Sequence, residues 1–267
     1  MASDIVPALK EEIERSFANR MATDHRVMNV GKRIRDGTAT LIDAHRYALY
    51  TGQNLSKTLQ TCITAETLPE GTLYYNIAKR TVEPMLKGAH NLVNSNALSI
   101  QELVDAKDGL GIKAVRADFP KERVQGLIDK MTSYDNFEQA SVWLKEAIVN
   151  NCEAFFDDYV KTNVDARSKM GMSETIVRVA EANCCEWCQA LEGTYEYGTE
   201  PPEVYQRHEF CRCDVTFKSG RKNQNVWTKT VWESNKAQID KRKATNPIMD
   251  PAERKKLINN YISKERG

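Results

Sequence analysis

Cys185-Glu-Trp-Cys188 and His208-Glu-Phe-Cys-Arg-Cys213 hold the strongest structural signal in the chain, and nineteen residues separate them. Zn²⁺ binds four sulfur or nitrogen donors in a tetrahedron, and a CxxC turn can direct two thiolates at one point. A second donor pair on a returning segment can then complete the site. The spacing therefore predicts a structural Zn²⁺ site with Cys185, Cys188, His208, Cys211 and Cys213 as candidate ligands.

Five candidate donors exceed the four that one tetrahedral ion needs. Cys185, Cys188 and Cys211 are the firm members of the set, and the sequence leaves His208 and Cys213 open for the fourth position. Cys184 is left out because two adjacent residues cannot easily direct both thiols at one ion. Four protein ligands would leave no position for a reactive water, so the predicted site is structural and no catalytic residue is predicted.

Two alternatives to metal binding by these cysteines remain, a redox-active pair and disulfide bonds. A redox-active CxxC is usually found at a helix N-terminus in a βαβ unit, a setting that this sequence does not suggest. Disulfide bonds would be expected if the mature protein resides in an oxidising environment. No secretory signal is visible at the N-terminus, which favours folding in a reducing cytoplasm and metal-bound thiolates.

Composition and the spacing of apolar residues together indicate the fold class. The 267 residues are 41% hydrophobic and 28% charged, and the mean hydropathy is −0.57. These values are typical of a hydrated, helix-rich protein, and no apolar run is long enough for a membrane span. Apolar residues recur every three or four positions up to about residue 170, as in packed helices. The expected fold is α+β and predominantly α, with a helical domain over 1–170.

The helical part divides into several predicted segments. The pattern predicts helices over 7–24, 38–62 and 73–93, with a bend at Pro84 in the third. Ser99 and Glu102 form a capping-box pattern that predicts a new helix start. Pro120 is expected at the first turn of another helix. The longest helix is predicted over 136–168.

The pattern changes after residue 170. Short β-branched or alternating runs predict strands over 175–180, 193–197 and 212–217. They would form a small, zinc-stabilised β module over 171–218 that carries the candidate ligands. A region of that size depends on its metal, so metal removal should unfold it and leave the helices folded. A basic tail with a terminal helix is expected over 219–267.

The order and spacing of the motif residues resemble the C-terminal motif of phage minor head proteins, the Mu F-like and SPP1 head-morphogenesis family. That pattern joins a CxxC, a Leu-x-Gly turn and a His-x-x-Cys-Arg-Cys segment. The matching residues here are Cys185, Cys188, Leu191, Gly193, His208, Cys211, Arg212 and Cys213. The stretch 222–229 is similar to the continuation in minor capsid proteins of phages that infect Gram-positive bacteria. About fifty residues of the chain carry the likeness.

The resemblance implies a non-enzymatic virion component that acts in head assembly at the portal vertex or just inside the capsid. Its partner would be the portal or the major capsid protein, and no membrane would be involved. Several copies of the chain would be present in the assembly. Residues 218–267 hold thirteen Lys and Arg against five Asp and Glu, so this tail could also contact packaged DNA. An alternative is a zinc-containing protein that acts on nucleic acid, such as an HNH-like nuclease.

Overall fold

A computed structural model describes residues 4–182 and 184–221. Within that part the chain is mostly helical and ends in a three-stranded antiparallel sheet, which confirms the α+β, predominantly α class. The helices are α1 Val6–Thr23, α2 His25–Arg35, α3 Leu41–Cys62, α4 Tyr75–Lys107, α5 Lys121–Met131, α6 Phe137–Ser141, α7 Glu146–Lys169 and α8 Glu186–Ala190. The strands are β1 Met172–Val179, β2 Gly193–Glu196 and β3 Asp214–Arg221. No helix among the described residues is long and apolar enough to cross a bilayer.

Helix α3 lies against α1, α4 and α7 and carries much of the buried surface. It begins in a capping box in which the Thr40 amide donates to the Asp43 carboxylate at 2.8 Å. Gly52 does not interrupt it. A Cβ at this position would lie 2.9 Å from Val149 Cα and 3.0 Å from Cys152 Cβ. The glycine thus allows α7 to pack directly on the α3 backbone.

Helix α4 runs through Pro84, as predicted, and is longer than the sequence suggests because it continues past residue 93 to Lys107. The buried side chains of Val82, Met85 and Leu86 hold the chain in the core on both sides of the proline. The predicted helix start at Ser99 is wrong, since Ser99 lies inside α4 and its hydroxyl donates to the Ser95 carbonyl at 3.1 Å. A serine in a helix interior commonly makes this bond to the preceding turn.

The predicted helix over 136–168 is in fact two helices. Asn136 caps α6 by accepting from the Gln139 amide at 3.0 Å, and the helical path breaks at Lys145, where ψ is −111°. The Ser56 hydroxyl of α3 approaches the Leu144 carbonyl at 2.8 Å and the Lys145 carbonyl at 3.1 Å. A contact from another helix therefore satisfies carbonyls at the break. Such a contact leaves no local pattern in the sequence.

The sheet has the order β2-β1-β3, and both pairings are antiparallel. Alternation along β1 buries Met172, Glu174, Ile176 and Arg178. Ile176 belongs to the same hydrophobic cluster as the helices, together with Val204, Val215 and Phe217. Residues 4–221 belong to one compact unit. Residues 219–221, the first three of the predicted basic tail, belong to β3, and the rest of the tail with its predicted terminal helix lies outside the described residues.

Candidate metal centre

The five predicted ligands converge between α8 and the start of β3. Cys185 caps the short helix α8, and one turn of that helix brings Cys188 back beside it. Cys211 and Cys213 directly precede β3, and both thiols are buried, as expected for residues two apart on an extended segment. The donor atoms form two groups, each within 4.8 Å, and Cys188 belongs to both. One group is Cys185, Cys188 and His208, and the other is Cys188, Cys211 and Cys213.

One of the spacings between donors matches a tetrahedral zinc ion, although no four donors of the described residues lie within 4.8 Å of one another. Two thiolates bound to one zinc at about 2.3 Å lie about 3.8 Å apart, and the Cys188 and Cys211 sulfurs are 3.7 Å apart. The His208 Nε2 atom lies 3.1 Å from the Cys185 sulfur and 3.0 Å from the Cys188 sulfur. These donors could hold a metal ion after small outward movements of the imidazole.

The imidazole of His208 is oriented for ligation through Nε2. Its Nδ1 lies 2.6 Å from the Glu209 carbonyl oxygen, which can only accept, so Nδ1 carries the proton. That tautomer leaves the Nε2 lone pair facing Cys185 and Cys188. Fixing the far nitrogen in this way is typical of histidines that bind metals. The arrangement favours His208 as a donor, and Cys211 and Cys213 lie near Cys188 but do not join the group of Cys185, Cys188 and His208.

The turn from His208 to Cys211 is tight and strained. The Cys211 amide donates to the His208 carbonyl at 3.1 Å. Phe210 has φ of 60°, a left-handed conformation that is unfavourable for an aromatic residue, and its ring is exposed. Strain of this kind is kept where surrounding interactions fix the backbone. The His208 and Cys211 donors at the two ends of this turn fall in different groups, which are connected through Cys188.

The metal-free thiols are poor anions in part because of their surroundings. Burial raises the pKa of Cys188. A hydrogen bond from the Cys211 thiol to Cys213 raises the pKa of Cys211 and lowers that of Cys213. A divalent cation must displace these protons to bind, so metal affinity should fall as the solution becomes acidic.

Arg178 of β1 places a buried positive charge against the sulfurs. Its Nη2 lies 3.7 Å from the Cys188 sulfur and 3.9 Å from the Cys211 sulfur. Its Nη1 donates to the carbonyls of Val204 and Gln206. Among the described residues, this guanidinium has carbonyls and sulfurs as acceptors, so its charge is directed at the cysteine cluster. Thiolates are the form that such a neighbour stabilises.

No family model, curated protein or solved structure matches the chain.

The residues between and beside the ligands anchor this region to the helices. Arg207 makes a two-point ion pair with Asp157 of α7, and its Nη1 lies 3.4 Å from the Glu153 carboxylate. Arg212 donates to the other Glu153 oxygen at 2.9 Å and also pairs with Glu146 at 2.6 Å. Glu153 and Asp157 are almost fully buried. The loop that carries the candidate ligands therefore supplies the cations for two acids of the helical core.

His45 of α3 belongs to the same network. Its Nδ1 lies 2.5 Å from Asp214, and its Nε2 lies 3.2 Å from Glu153 and 3.0 Å from Arg207. Burial and the Arg207 charge oppose its protonation, but the bonds to Asp214 and Glu153 outweigh them and raise the pKa of His45. The imidazole thus links α3, α7 and the start of β3.

Sequence reasoning did not find the arginines that surround the site. The alternation of β1 could have identified Arg178, since it shares a face with Ile176. Glu153 and Asp157 lie at helical spacing from Val149 and Val160, so the period of α7 could have placed both acids on its buried face. Of the remaining cysteines, Cys62 and Cys152 are buried in helices, and Cys184 packs half-buried beside the cluster.

Proposed function

We propose that this chain is a non-enzymatic phage virion component, a minor head or capsid protein, whose Cys/His cluster holds a structural Zn²⁺. The virion role rests on the likeness of the motif from Cys185 to Cys213 to that of the head-morphogenesis proteins. The metal assignment rests on the proximity of the Cys185, Cys188 and His208 donors and on the Cys211 sulfur, which lies 3.7 Å from the Cys188 sulfur.

Zinc fits this donor set by charge and by ligand type. Thiolate and imidazole donors in a tetrahedron are the usual ligands of structural zinc. Three thiolates and one neutral imidazole around Zn²⁺ leave one unit of negative charge. The guanidinium of Arg178, 3.7 Å from the Cys188 sulfur, neutralises that charge inside the protein. Four donors fill the coordination sphere, so the ion stabilises structure and has no position for a substrate.

The proposed place of action is the capsid interior or the portal vertex. The protein would be made in the bacterial host cytoplasm and assembled in several copies. The portal or major capsid protein would be its partner, and the basic tail over 219–267 would contact packaged DNA. These elements follow from the family likeness and the tail's charge.

Co-expression with the portal and major capsid proteins encoded beside the same gene tests the assembly role. We expect the chain to co-purify with one of them and to enter particles. Metal analysis should give about one zinc per chain. Hydrolysis of DNA by the purified protein with Mg²⁺ or Zn²⁺, abolished by His208→Ala, would instead support an HNH-like nuclease and contradict the proposal.

The fourth ligand is identified by comparing two single variants. Cys211→Ser and Cys213→Ser should differ in zinc content, because one tetrahedral ion already bound by Cys185, Cys188 and His208 needs only one of them. If both variants kept their full zinc content, neither the Cys211 nor the Cys213 thiol would be a required ligand, and the proposed site would be wrong.

A further inference from the structure

A groove runs along α7 on the side that faces α5. Three adjoining cavities form it, of about 410, 760 and 310 Å³. The first two share Asp158 and Lys161, and the last two share Trp143, Asn150 and Arg207. The α7 residues that line it extend from position 147 to 162, which corresponds to about 22 Å of helix. We call this surface the α7 groove.

The α7 groove carries an excess of positive charge. Its lining includes four cations outside the buried ion-pair network, Arg116, Arg123, Lys130 and Lys161, against three acids, Asp118, Asp158 and Glu209. Arg207 also lines it, but its charge is buried and paired with Asp157. Lys130 and Lys161 are exposed, and neither makes an ion pair within the part of the chain that the structure describes. Their ammonium groups are held over aromatic rings, Lys130 at 5.2 Å from Tyr134 and Lys161 at 5.9 Å from Tyr205. Both charges are therefore available to an anionic ligand.

We propose that the α7 groove binds an acidic peptide segment of a partner protein. An extended peptide rises about 3.3 Å per residue, so the groove accommodates six or seven residues. The side-chain amide of Gln206 lines its middle and can bond to peptide groups. The amides of Asn150 and Asn151 also line it, but they already donate to the His208 and Ala147 carbonyls. Leu127 and Ala147 provide apolar contacts between the charged positions.

The aromatic rings favour a peptide over single-stranded nucleic acid. Proteins that bind single strands stack bases on open aromatic faces. In the α7 groove Lys130 lies over the rings of Tyr134 and Trp143, and Lys161 lies over Tyr205. The lysines thus occupy ring faces that bases would need, while their charges remain able to pair with carboxylates.

The test uses a fluorescently labelled seven-residue peptide of alternating Glu and Ala and the full-length, metal-loaded protein. The double variant Lys130→Glu/Lys161→Glu should bind it at least tenfold more weakly. Lys57→Glu/Lys87→Glu is the matched control, since it changes the same charge at exposed positions on α3 and α4. The control should bind like the unchanged protein. Zinc content and circular dichroism establish that both variants are folded.

Three outcomes would overturn the inference. They are no measurable binding of the Glu/Ala peptide, an equal loss in both double variants, or undiminished binding when Gln replaces Glu in the peptide. A seven-nucleotide single strand that binds more tightly than the peptide, and only when Lys130 and Lys161 are present, would assign the groove to nucleic acid. None of these results depends on the virion role or on the zinc assignment.

Discussion

Arg207 and Asp157 form a two-point ion pair in the interior of the protein, with both side chains almost fully buried. Arg207 immediately precedes the candidate ligand His208, whereas Asp157 lies in the middle of α7. The pair therefore joins the geometry of the metal centre to the core of the helical region. This connection changes what metal removal should do.

Chelation should destabilise the helices as well as the sheet. Without the metal, the strained turn at Phe210 loses its support, and Arg207 and Arg212 are no longer held against Glu153 and Asp157. A buried acid without its partner costs about 3–5 kcal/mol, a large part of a typical free energy of unfolding. Hydrogen exchange with a zinc chelator should show lost amide protection in α3 and α7. Unchanged protection there, with exchange confined to residues 172–221, would restore the simpler expectation from the sequence.

Arg207→Met should lower the free energy of unfolding by about 3–5 kcal/mol in the zinc-loaded protein, because Asp157 stays buried without a cation. The double variant Arg207→Met/Asp157→Leu should recover a large part of that loss. Urea unfolding of the two variants gives the comparison. Arg123→Met is the control, since it breaks a partly exposed pair with Asp158 and should cost about 1 kcal/mol or less. Similar losses for Arg123→Met and Arg207→Met would refute the argument from burial.

Gly52→Ala should destabilise the protein by about 1–3 kcal/mol, as expected for overpacking. The added methyl group would meet the backbone of Val149 at 2.9 Å, and a backbone cannot move aside as the end of a side chain can. Gly88→Ala in α4 is the matched change, because nothing lies within 4 Å of its Cβ position. It should be neutral or stabilising, since alanine favours helix more than glycine does. Thermal unfolding of both variants decides the matter.

Asp24→Ala should cost about 1 kcal/mol by removing the N-cap of α2. The Asp24 carboxylate accepts from the Arg26 amide at 2.9 Å and from Asn54 at 2.8 Å. The hydrogen bond from the Arg26 side chain, helped by Asn54, lowers the pKa of Asp24. A carboxyl whose pKa is lowered by folding stabilises the protein above its unfolded pKa of about 3.9 and loses this effect as the pH falls.

The difference in stability between Asp24→Ala and the unchanged protein should therefore be constant at neutral pH and shrink below about pH 4. Asp24→Asn keeps a capping oxygen and loses the charge, so its free energy of unfolding should lie between those of Asp24→Ala and the unchanged protein. If the stability difference between Asp24→Ala and the unchanged protein grew on acidification, a group other than Asp24 would dominate the pH dependence.

Local pattern was a good guide to element types and a poor guide to helix ends. The strands β1 and β2 and the helices α1 and α3 lie close to their predicted positions, since apolar spacing records which face is buried. The C-terminal end of α4 and the start of α7 could not be predicted in the same way. Buried Ala97 and Ile100 carry α4 past residue 93, and the Ser56 hydroxyl satisfies carbonyls where the helical path breaks before α7.

The sequence by itself determined the chemistry of the candidate site, because it contains donor residues of the right types at the right spacing. These are Cys185, Cys188, His208, Cys211 and Cys213. It also determined a helical region followed by a small sheet, through the change of apolar period near residue 170. Only the tertiary structure brought Arg178 against the sulfurs and joined Arg207 to Asp157. Those contacts link residues that are far apart in the chain, and a buried charge is stable only where folding has placed its partner.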